Sequence, residues 1–197
     1  DLTQPADLLE ELARLWGYDR LPVTLPRPHP ALRRPGPDEG ETLRRRESEL
    51  RELLVAAGLD EIVTYSLVSP VALQSLGGSD GPPVIVRNPL SQDHAYLRPS
   101  LLPGLLQAVR RNVTQGTSDV RLFELGQVVV GGREQPRLGA VLSGLWKRDF
   151  RAGETGDFLV LKGLIEALVG RLCQGELSFA SAGHSWAEQG QSAAIRL

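Results

Sequence analysis

Sulfur-containing residues are almost absent from this 197-residue sequence, which has one cysteine and no methionine. A single cysteine excludes a disulfide framework and any metal site built from several thiolates. Cys173 lies within an apolar helical pattern, so we expect it to be a small core residue and not a nucleophile. No apolar run approaches the ~18 residues that span a membrane, and no secretory signal pattern is present. The chain, which begins at Asp1, is typical of a piece of a longer cytosolic protein.

Lysine is also scarce: two of the 22 basic residues, Lys147 and Lys162, are lysines, and the others are arginines. The net charge of −2 argues against a surface that binds nucleic acid by bulk electrostatics alone. The sequence lacks the GxxxxGK[ST], HExxH and GxSxG motifs of phosphate-binding loops, zinc proteases and hydrolase nucleophiles. His29, His94 and His184 have no partners at metal-ligand spacing. Composition therefore indicates a globular domain without an obvious catalytic centre.

Proline content and apolar periodicity divide the chain into three segments. Residues 1–20 contain a short amphipathic helix, in which Asp7 has the position of an N-cap and Glu10 that of its capping-box partner. Residues 21–40 carry six prolines, so they can form neither a helix nor a central strand, and we expect an extended linker. Residues 41–197 are the main domain.

Within 41–197, helical and extended patterns together predict an α+β fold, an antiparallel sheet flanked by helices. The clearest strand covers 119–130, with Val120 and Leu122 on one face and Phe123 and Leu125 on the other. Two glycines and a second strand over 138–145 follow at hairpin distance. The other predicted elements are helices over 41–57, 70–76, 100–113 and 157–172, and strands over 60–67, 84–87, 177–180 and 192–197.

Four stretches of this sequence resemble the β subunits of bacterial phenylalanyl-tRNA synthetases, which have a class II aminoacyl-tRNA synthetase-like domain. They occur in the family's order: Asp7-Leu-Leu-Glu-Glu through Gly17-Tyr-Asp-Arg-Leu-Pro22, Glu61-Ile-Val-Thr-Tyr-Ser-Leu67, Asn88-Pro-Leu-Ser through Leu97-Arg-Pro-Ser-Leu-Leu-Pro-Gly-Leu-Leu106, and Arg121-Leu-Phe-Glu-Leu-Gly126. The resemblance implies a cytoplasmic heterotetramer of two α and two β subunits that joins phenylalanine to tRNA(Phe) with ATP. It also implies that the α subunit carries the working site. This chain would then supply the end of a winged-helix-like domain and a catalytic-like domain.

Two positions depart from the class II pattern. In active synthetases the strand that here spells Phe-Glu-Leu-Gly continues into an arginine that binds the α-phosphate of ATP, with an acidic residue two places on. Those positions hold Val130 and Gly132. Valine cannot donate a hydrogen bond to a phosphate, so the resemblance implies a non-catalytic domain. The interface proline of the class falls at Tyr65, which argues against the usual homodimer contact.

The resemblance further implies a Mg²⁺ site shared with the α subunit, and the matching carboxylates are Asp1, Asp7, Glu10 and Glu11. The last three fall on the first turn of one helix, so at least two carboxylates can converge on a hard cation. Acidic residues are equally expected at this place for helix capping and for interaction with the helix dipole. The sequence leaves both interpretations open.

Three functions stay open from sequence. The first is a structural domain that supports the α subunit through the helix over 41–57 and the strand over 60–67. The second is an active adenylate-forming enzyme that holds phosphate with another arginine, such as Arg121 or Arg133. The third is an independent binding or regulatory module on the same inactive fold. Arg98 could also bind an anion, although an arginine beside a half-buried strand more often pairs with a neighbouring acid.

Overall fold

The computed structural model describes residues 3–25, 39–75, 83–147, 154–155, 157–172, 177–184, 187–188 and 192–196. The chain divides into two compact units, Asp1–Glu39 and Gly40–Leu197. No helix within the described ranges is long and apolar enough to cross a membrane. Asp1, His29 and Cys173, which carry sequence-based expectations, lie outside these ranges.

The first unit contains helix α1, Pro5–Trp16. The helix begins earlier than predicted, because Gln4 is the N-cap and Asp7 occupies the third helical position. Proline at the first helical position favours this start, since it has no N–H to leave unsatisfied and its φ is already helical. The predicted N-cap at Asp7 is therefore wrong: its carboxylate reaches back and accepts from the N–H of Gln4 at 2.8 Å. Gly17, with φ of +101°, ends the helix as predicted.

The second unit combines helices with mostly short strands, and its α+β class is the predicted one. Within the described residues, single 3-10 turns also occur, one in each unit, at Tyr18–Arg20 and Gln92–His94. The remaining elements are α2 (Glu39–Ala56), β1 (Asp60–Glu61), β2 (Leu67–Val68), α3 (Pro70–Ser75), β3 (Tyr96–Leu97), α4 (Leu102–Thr114), β4 (Val120–Val130), β5 (Arg133–Ser143), β6 (Leu145–Lys147), β7 (Glu154–Thr155), α5 (Phe158–Leu172), β8 (Ser178–Ser181) and β9 (Ala193–Arg196).

The longest strands, β4 and β5, form an antiparallel hairpin that pairs along their whole length. Gly131 and Gly132 connect them with φ of +58° and +77°, the positive values that a two-residue hairpin turn of this type requires. The short β1 lies on the other edge of β4 and runs parallel to it. The remaining strands pair antiparallel in twos: β2 with β3, β6 with β7, and β8 with β9. The predicted antiparallel sheet is confirmed, with one parallel strand added at its edge.

Successive residues of β4 point to opposite sides, and both sides are covered by packed residues. We call the side of Leu122 the even face and the side of Phe123 the odd face. The apolar cluster of the even face is Leu101, Leu105, Val120, Leu122 and Val128. The cluster of the odd face is Leu54, Leu59 and Phe123, against which Leu164 and Leu168 of α5 pack. The predicted alternation of β4 is therefore confirmed, and the even face is covered by the start of α4.

The predicted strand over 60–67 is interrupted, because only Asp60–Glu61 and Leu67–Val68 are strands. The first pair of residues lies beside β4, whereas the second lies beside β3. Between them the N–H of Thr64 donates to the side chain of Glu124 and not to a neighbouring strand. A run of β-branched residues predicts an extended chain but does not reveal a side-chain partner of this kind.

Candidate functional site

The even face of β4 carries a buried ion pair between Arg98 and Glu124. Arg98 Nη1 lies 2.7 Å from Glu124 Oε1, and the two side chains are 6% and 1% exposed. Arg98 follows β3 directly, and its Nε donates to the carbonyl of Gln127 at 2.9 Å. Two charges can be buried together only when they are paired and their remaining polar atoms are satisfied. The pair therefore fixes the turn after β3 against the middle of β4.

Thr64 joins this ion pair from a third segment of the chain. Its N–H donates to Glu124 Oε1 at 3.1 Å, and its hydroxyl donates to Oε2 of the same carboxylate at 2.7 Å. The hydroxyl also accepts from Arg98 Nη1 at 2.9 Å, and the carbonyl of Thr64 accepts from that nitrogen at 3.3 Å. No buried side-chain nitrogen or oxygen in the described ranges lacks a hydrogen-bond partner. We call Thr64, Arg98 and Glu124 the polar cluster.

Two glycines lie against the polar cluster, and their lack of a side chain provides the space that the cluster occupies. A Cβ placed on Gly126 would collide with the guanidinium of Arg98, and one placed on Gly104 would collide with the hydroxyl of Thr64. Neither glycine has a positive φ, so close approach and not backbone conformation is what favours glycine at these positions. This explains why β4 has a glycine two residues after Glu124. It also shows that α4, through Gly104, packs directly on Thr64.

The segment between β1 and β2 alternates between the interior and the surface. Ile62 and Thr64 are half-buried, whereas Val63 and Tyr65 are 88% and 80% exposed. The ring of Tyr65 lies edge-on to that of His94, with centroids 5.7 Å apart. We call Val63 and Tyr65 the outward edge. Large contiguous patches of exposed apolar side chains mark protein-binding sites, and the outward edge would contribute two residues to such a patch.

Val130, where the resemblance places the phosphate-binding arginine of active enzymes, packs against the apolar cluster of the even face. Its backbone pairs with that of Arg133 across the hairpin turn. A cavity of about 180 Å³ opens on the same sheet, but its lining consists of Pro99 to Leu102, Leu105 and Arg137 to Ala140 and does not include Val130. This volume is below the roughly 300–1,000 Å³ that is typical of small-molecule sites.

The arginines that could hold a phosphate in place of Val130 differ in their surroundings. Arg121 donates from Nη1 to the carbonyl of Trp146 at 2.7 Å, and its guanidinium carbon lies 6.0 Å from the centroid of that ring. Arg98 is bound in the polar cluster, so the expectation that it pairs with an acid is confirmed. Arg133 is exposed at the start of β5. Of the three, Arg98 and Arg121 are already held by protein groups.

Three of the four predicted metal ligands lie on α1: Asp7, Glu10 and Glu11. Their predicted placement on one first turn is wrong, because the helix begins at Pro5 and only Asp7 is in its first turn. Asp7 Oδ2 accepts from the backbone N–H groups of Gln4 and Thr3, at 2.8 Å in each case. These hydrogen bonds, with that of Gln4 the larger cause, hold the pKa of the Asp7 carboxyl below its ordinary value. The carboxylate therefore acts as a cap for the helix, whatever else it binds.

Glu11 is also engaged within α1, because its Oε2 lies 2.6 Å from Nη2 of Arg14. Within the part of the chain that the structure describes, no group of three or more His, Cys, Asp or Glu residues could hold a metal ion. Asp1, the fourth predicted ligand, lies outside that part. The Mg²⁺ site therefore stays a prediction.

The sequence analysis misses the polar cluster as a unit. Thr64 and Glu124 lie 60 residues apart, and no local spacing connects them. One signal was available: Glu124 lies on the strand face that also carries the apolar residues Leu122 and Val128. A glutamate at such a position requires a buried cation and further donors.

Solved structures resemble this fold. A histidine–tRNA ligase subunit from Alicyclobacillus acidocaldarius matches with a TM-score of 0.59 at 15% identity, over 81% of this chain and 45% of that chain. A pyrrolysyl-tRNA synthetase from Desulfitobacterium hafniense matches with a TM-score of 0.54 at 20% identity, over 71% and 50%. At such identities the likeness concerns the fold alone, and that fold is the class II aminoacyl-tRNA synthetase fold.

Sequence similarity then identifies the family within this class. Residues 21–197 match the family described as the phenylalanyl tRNA synthetase beta chain CLM domain. The phenylalanine–tRNA ligase beta subunit of Moorella thermoacetica is 38% identical over all of this chain, which spans 25% of that relative. The chain therefore belongs to the phenylalanyl-tRNA synthetase β-chain family, and it covers about a quarter of the length of the curated relatives it matches.

Proposed function

We propose that this chain is a non-catalytic structural domain of a phenylalanine–tRNA ligase β subunit. It supports an α subunit that joins phenylalanine to tRNA(Phe) with ATP, in a cytoplasmic assembly of two α and two β subunits. The observation that carries the proposal is the position of Val130, whose aliphatic side chain packs into the apolar cluster where active class II enzymes hold a cation. Such a side chain offers no hydrogen bond or charge to a phosphoryl group.

The outward edge and the free side of α2 supply the surface for the α subunit. Leu54 of α2 is buried in the odd-face cluster, whereas Leu43 and Val55 are 48% and 56% exposed. The sequence pattern groups Leu43 with the core side of the helix, but the structure leaves it on the surface. The exposed apolar residues of α2 and the outward edge therefore remain available to a partner.

An independent binding or regulatory module is the alternative function for the same fold. The similarity to β subunits runs over the whole chain and does not favour it. The binding or regulatory module would be favoured again if variants that lose α-subunit binding had no effect on the ligase reaction.

We extend the proposal to Mg²⁺ only as an ion shared between subunits. Mg²⁺ prefers six oxygen ligands in octahedral geometry. In α1, Asp7 is hydrogen-bonded to helix N–H groups and Glu11 is paired with Arg14. These carboxylates do not form a complete site, so a Mg²⁺ ion at α1 requires further ligands. Calorimetry is expected to detect Mg²⁺ binding by the α–β complex that weakens in Glu10→Gln, and no binding at this site by the β subunit alone.

Docking is tested on the intact β subunit expressed together with its α subunit. The double variant Val63→Ser with Tyr65→Ser removes the apolar surface of the outward edge and is expected to shift the complex to separate subunits in sedimentation velocity. Leu159→Ser is the matched control, because Leu159 is 70% exposed on a different element, α5. A double variant that assembles as well as the control would contradict docking through this edge.

The non-catalytic assignment is tested by ATP–pyrophosphate exchange with phenylalanine. We expect exchange by the α–β complex and none by the β subunit alone. Arg133→Ala in the β subunit is expected to leave the rate of the complex unchanged. Exchange by the β subunit alone that disappears with Arg133→Ala would favour the adenylate-forming enzyme instead.

A further inference from the structure

The polar cluster lies directly behind the outward edge, and this juxtaposition suggests a specific role for Thr64. We infer that Thr64 is a positioning residue: its hydroxyl, held by Glu124 and Arg98, fixes the segment 62–66 so that Val63 and Tyr65 are presented to the α subunit. The inference rests on the proposed function, because it assumes that the outward edge is the docking surface.

The segment 62–66 is held at every second residue and not by a continuous strand ladder. The N–H of Ile62 donates to a backbone carbonyl of β4 at 2.8 Å. The N–H of Thr64 donates to Glu124 Oε1 at 3.1 Å, and the carbonyl of Ser66 accepts from the N–H of Arg98 at 2.8 Å. In an extended chain, neighbouring side chains point to opposite sides. Anchors at positions 62, 64 and 66 therefore turn the intervening side chains outward.

The middle anchor differs from the two outer ones in its chemistry. The outer anchors are backbone–backbone hydrogen bonds, which are independent of side-chain identity except at proline. The middle anchor needs the carboxylate of Glu124 and is strengthened by the Thr64 hydroxyl, which donates to Glu124 and accepts from Arg98. Hydrogen bonds to ionised groups are roughly twice as strong as neutral ones. Gly104 presses α4 against the same hydroxyl, so the side chain has little freedom to move.

An anchor is required here because the outward edge is apolar. Exposed apolar surface gains about 25 cal/mol for each Å² removed from water, so an unanchored segment of this composition tends to collapse onto the domain. Val63 and Tyr65 are 88% and 80% exposed in spite of this tendency. Buried hydrogen bonds to a fixed ion pair resist the collapse and keep the edge ready for a partner, which lowers the ordering cost of binding.

The test compares two substitutions of Thr64 in the intact β subunit. Thr64→Val keeps the branched shape but removes the hydroxyl, so Glu124 Oε2 loses a donor and Arg98 Nη1 loses an acceptor. Thr64→Ser keeps the hydroxyl and removes a methyl group. We expect Thr64→Val to weaken the affinity for the α subunit about tenfold, which is the scale of a significant interface residue, and Thr64→Ser to change it less than about threefold.

Hydrogen–deuterium exchange of the free β subunit separates positioning from general loss of stability. In Thr64→Val, we expect faster exchange in the peptide that covers 62–66 while the peptides of β8 and β9 stay unchanged. Tyr65→Ala serves as the contact control: it should weaken binding without changing exchange in the segment. Weak binding in Tyr65→Ala with normal binding in Thr64→Val would overturn the positioning role and leave the docking surface intact. Normal binding in both would overturn the docking surface itself.

A second route covers the case in which Thr64→Val does not fold. Glu124→Gln keeps the shape but replaces one carboxylate oxygen with an amide, so one of the two bonds to Thr64 loses its acceptor and Arg98 loses its counter-charge. The same loss of affinity and the same local rise in exchange are expected. Equal losses in Thr64→Ser and in Glu124→Gln would show that the hydroxyl is not the anchor.

Discussion

The two faces of β4 are covered in different ways. The odd face has an apolar cluster in which Phe123 packs on Leu54 and Leu59, and its one charged side chain in β4, Arg121, is half-buried against Trp146. The even face also has an apolar cluster, but its middle holds the ion pair of Arg98 and Glu124. Apolar burial is non-directional, whereas charged hydrogen bonds allow only a narrow geometry. The odd face therefore supplies hydrophobic stabilisation, and the even face determines which segments meet β4 and in which orientation.

Removing one charge of the even face is expected to have the largest effect on stability. Glu124→Ala leaves the guanidinium of Arg98 buried without a counter-charge and the N–H of Thr64 without an acceptor. Breaking a buried pair in this way costs about 3–5 kcal/mol of unfolding free energy. This loss of unfolding free energy can be measured by native-state hydrogen exchange of the β4 amides in the intact β subunit. A loss below about 1 kcal/mol, the size of an exposed pair, would show that the cluster is not buried in solution.

A double substitution sharpens the same comparison. Arg98→Met with Glu124→Leu removes both charges and fills the space with apolar atoms, which is often neutral for a buried pair. We expect most of the stability lost in Glu124→Ala to return, whereas the position of Thr64 is no longer fixed. A double variant as unstable as the single one would contradict the assignment of the loss to an uncompensated charge.

The stability of the odd face is tested by removing an apolar side chain. No second substitution is expected to restore the stability that this change costs. Leu54→Ala removes a side chain that is 2% exposed and leaves a cavity beside Phe123, at a cost of about 2–5 kcal/mol. Val55→Ala, on the exposed side of the same helix, is expected to stay within about 0.5 kcal/mol. Equal effects of the two substitutions on β4 amide exchange would mean that α2 does not pack as described.

A smaller loss is expected from filling the space beside the ion pair. Gly126→Ala places a methyl group against the guanidinium of Arg98, and overpacking of this kind costs about 1–3 kcal/mol. Gly163→Ala is the control, because a Cβ at Gly163 in α5 meets no atom within 4 Å. Alanine favours a helix over glycine by about 1 kcal/mol, so the control should be neutral or stabilising. The measurement is again β4 exchange, and a neutral Gly126→Ala would contradict the close approach.

The residues that were predictable are those whose environment is set by local pattern. The alternation of β4 followed from its own sequence, because both faces needed apolar side chains. A hairpin was also predicted, but β5 begins at Arg133 and not at the predicted residue 138. The interruption between β1 and β2 did not follow, because the partner of the Thr64 N–H is a side chain 60 residues away. An acidic partner of Arg98 was expected, but its identity as Glu124 was missed for the same reason. What was unpredictable is thus a set of long-range polar contacts, which leave no periodic trace in the sequence.

The smallest expected effect concerns α1, whose start depends on an exposed carboxylate. Hydrogen bonds from Gln4 and Thr3 hold the pKa of Asp7 below the ordinary 3.8, so they favour the ionised form. The helix start therefore gains stability above that ordinary value and loses it as the pH falls through the lower, folded-state pKa. Carboxyl-carbon NMR of a selectively labelled β subunit is expected to show a midpoint below 3.8, with the Gln4 N–H shift following the same curve. Asp7→Asn keeps an acceptor oxygen but should abolish the pH step.

Glu11→Gln is the control for this titration, because the Glu11 carboxylate pairs with Arg14 and not with the N–H groups at the helix start. It is expected to leave the Asp7 midpoint and the Gln4 shift unchanged. A midpoint for Asp7 at or above 3.8, or a pH step that survives in Asp7→Asn, would contradict the capping role. The outcome also bears on the proposed Mg²⁺ site, since Asp7 Oδ2 already accepts from two backbone N–H groups.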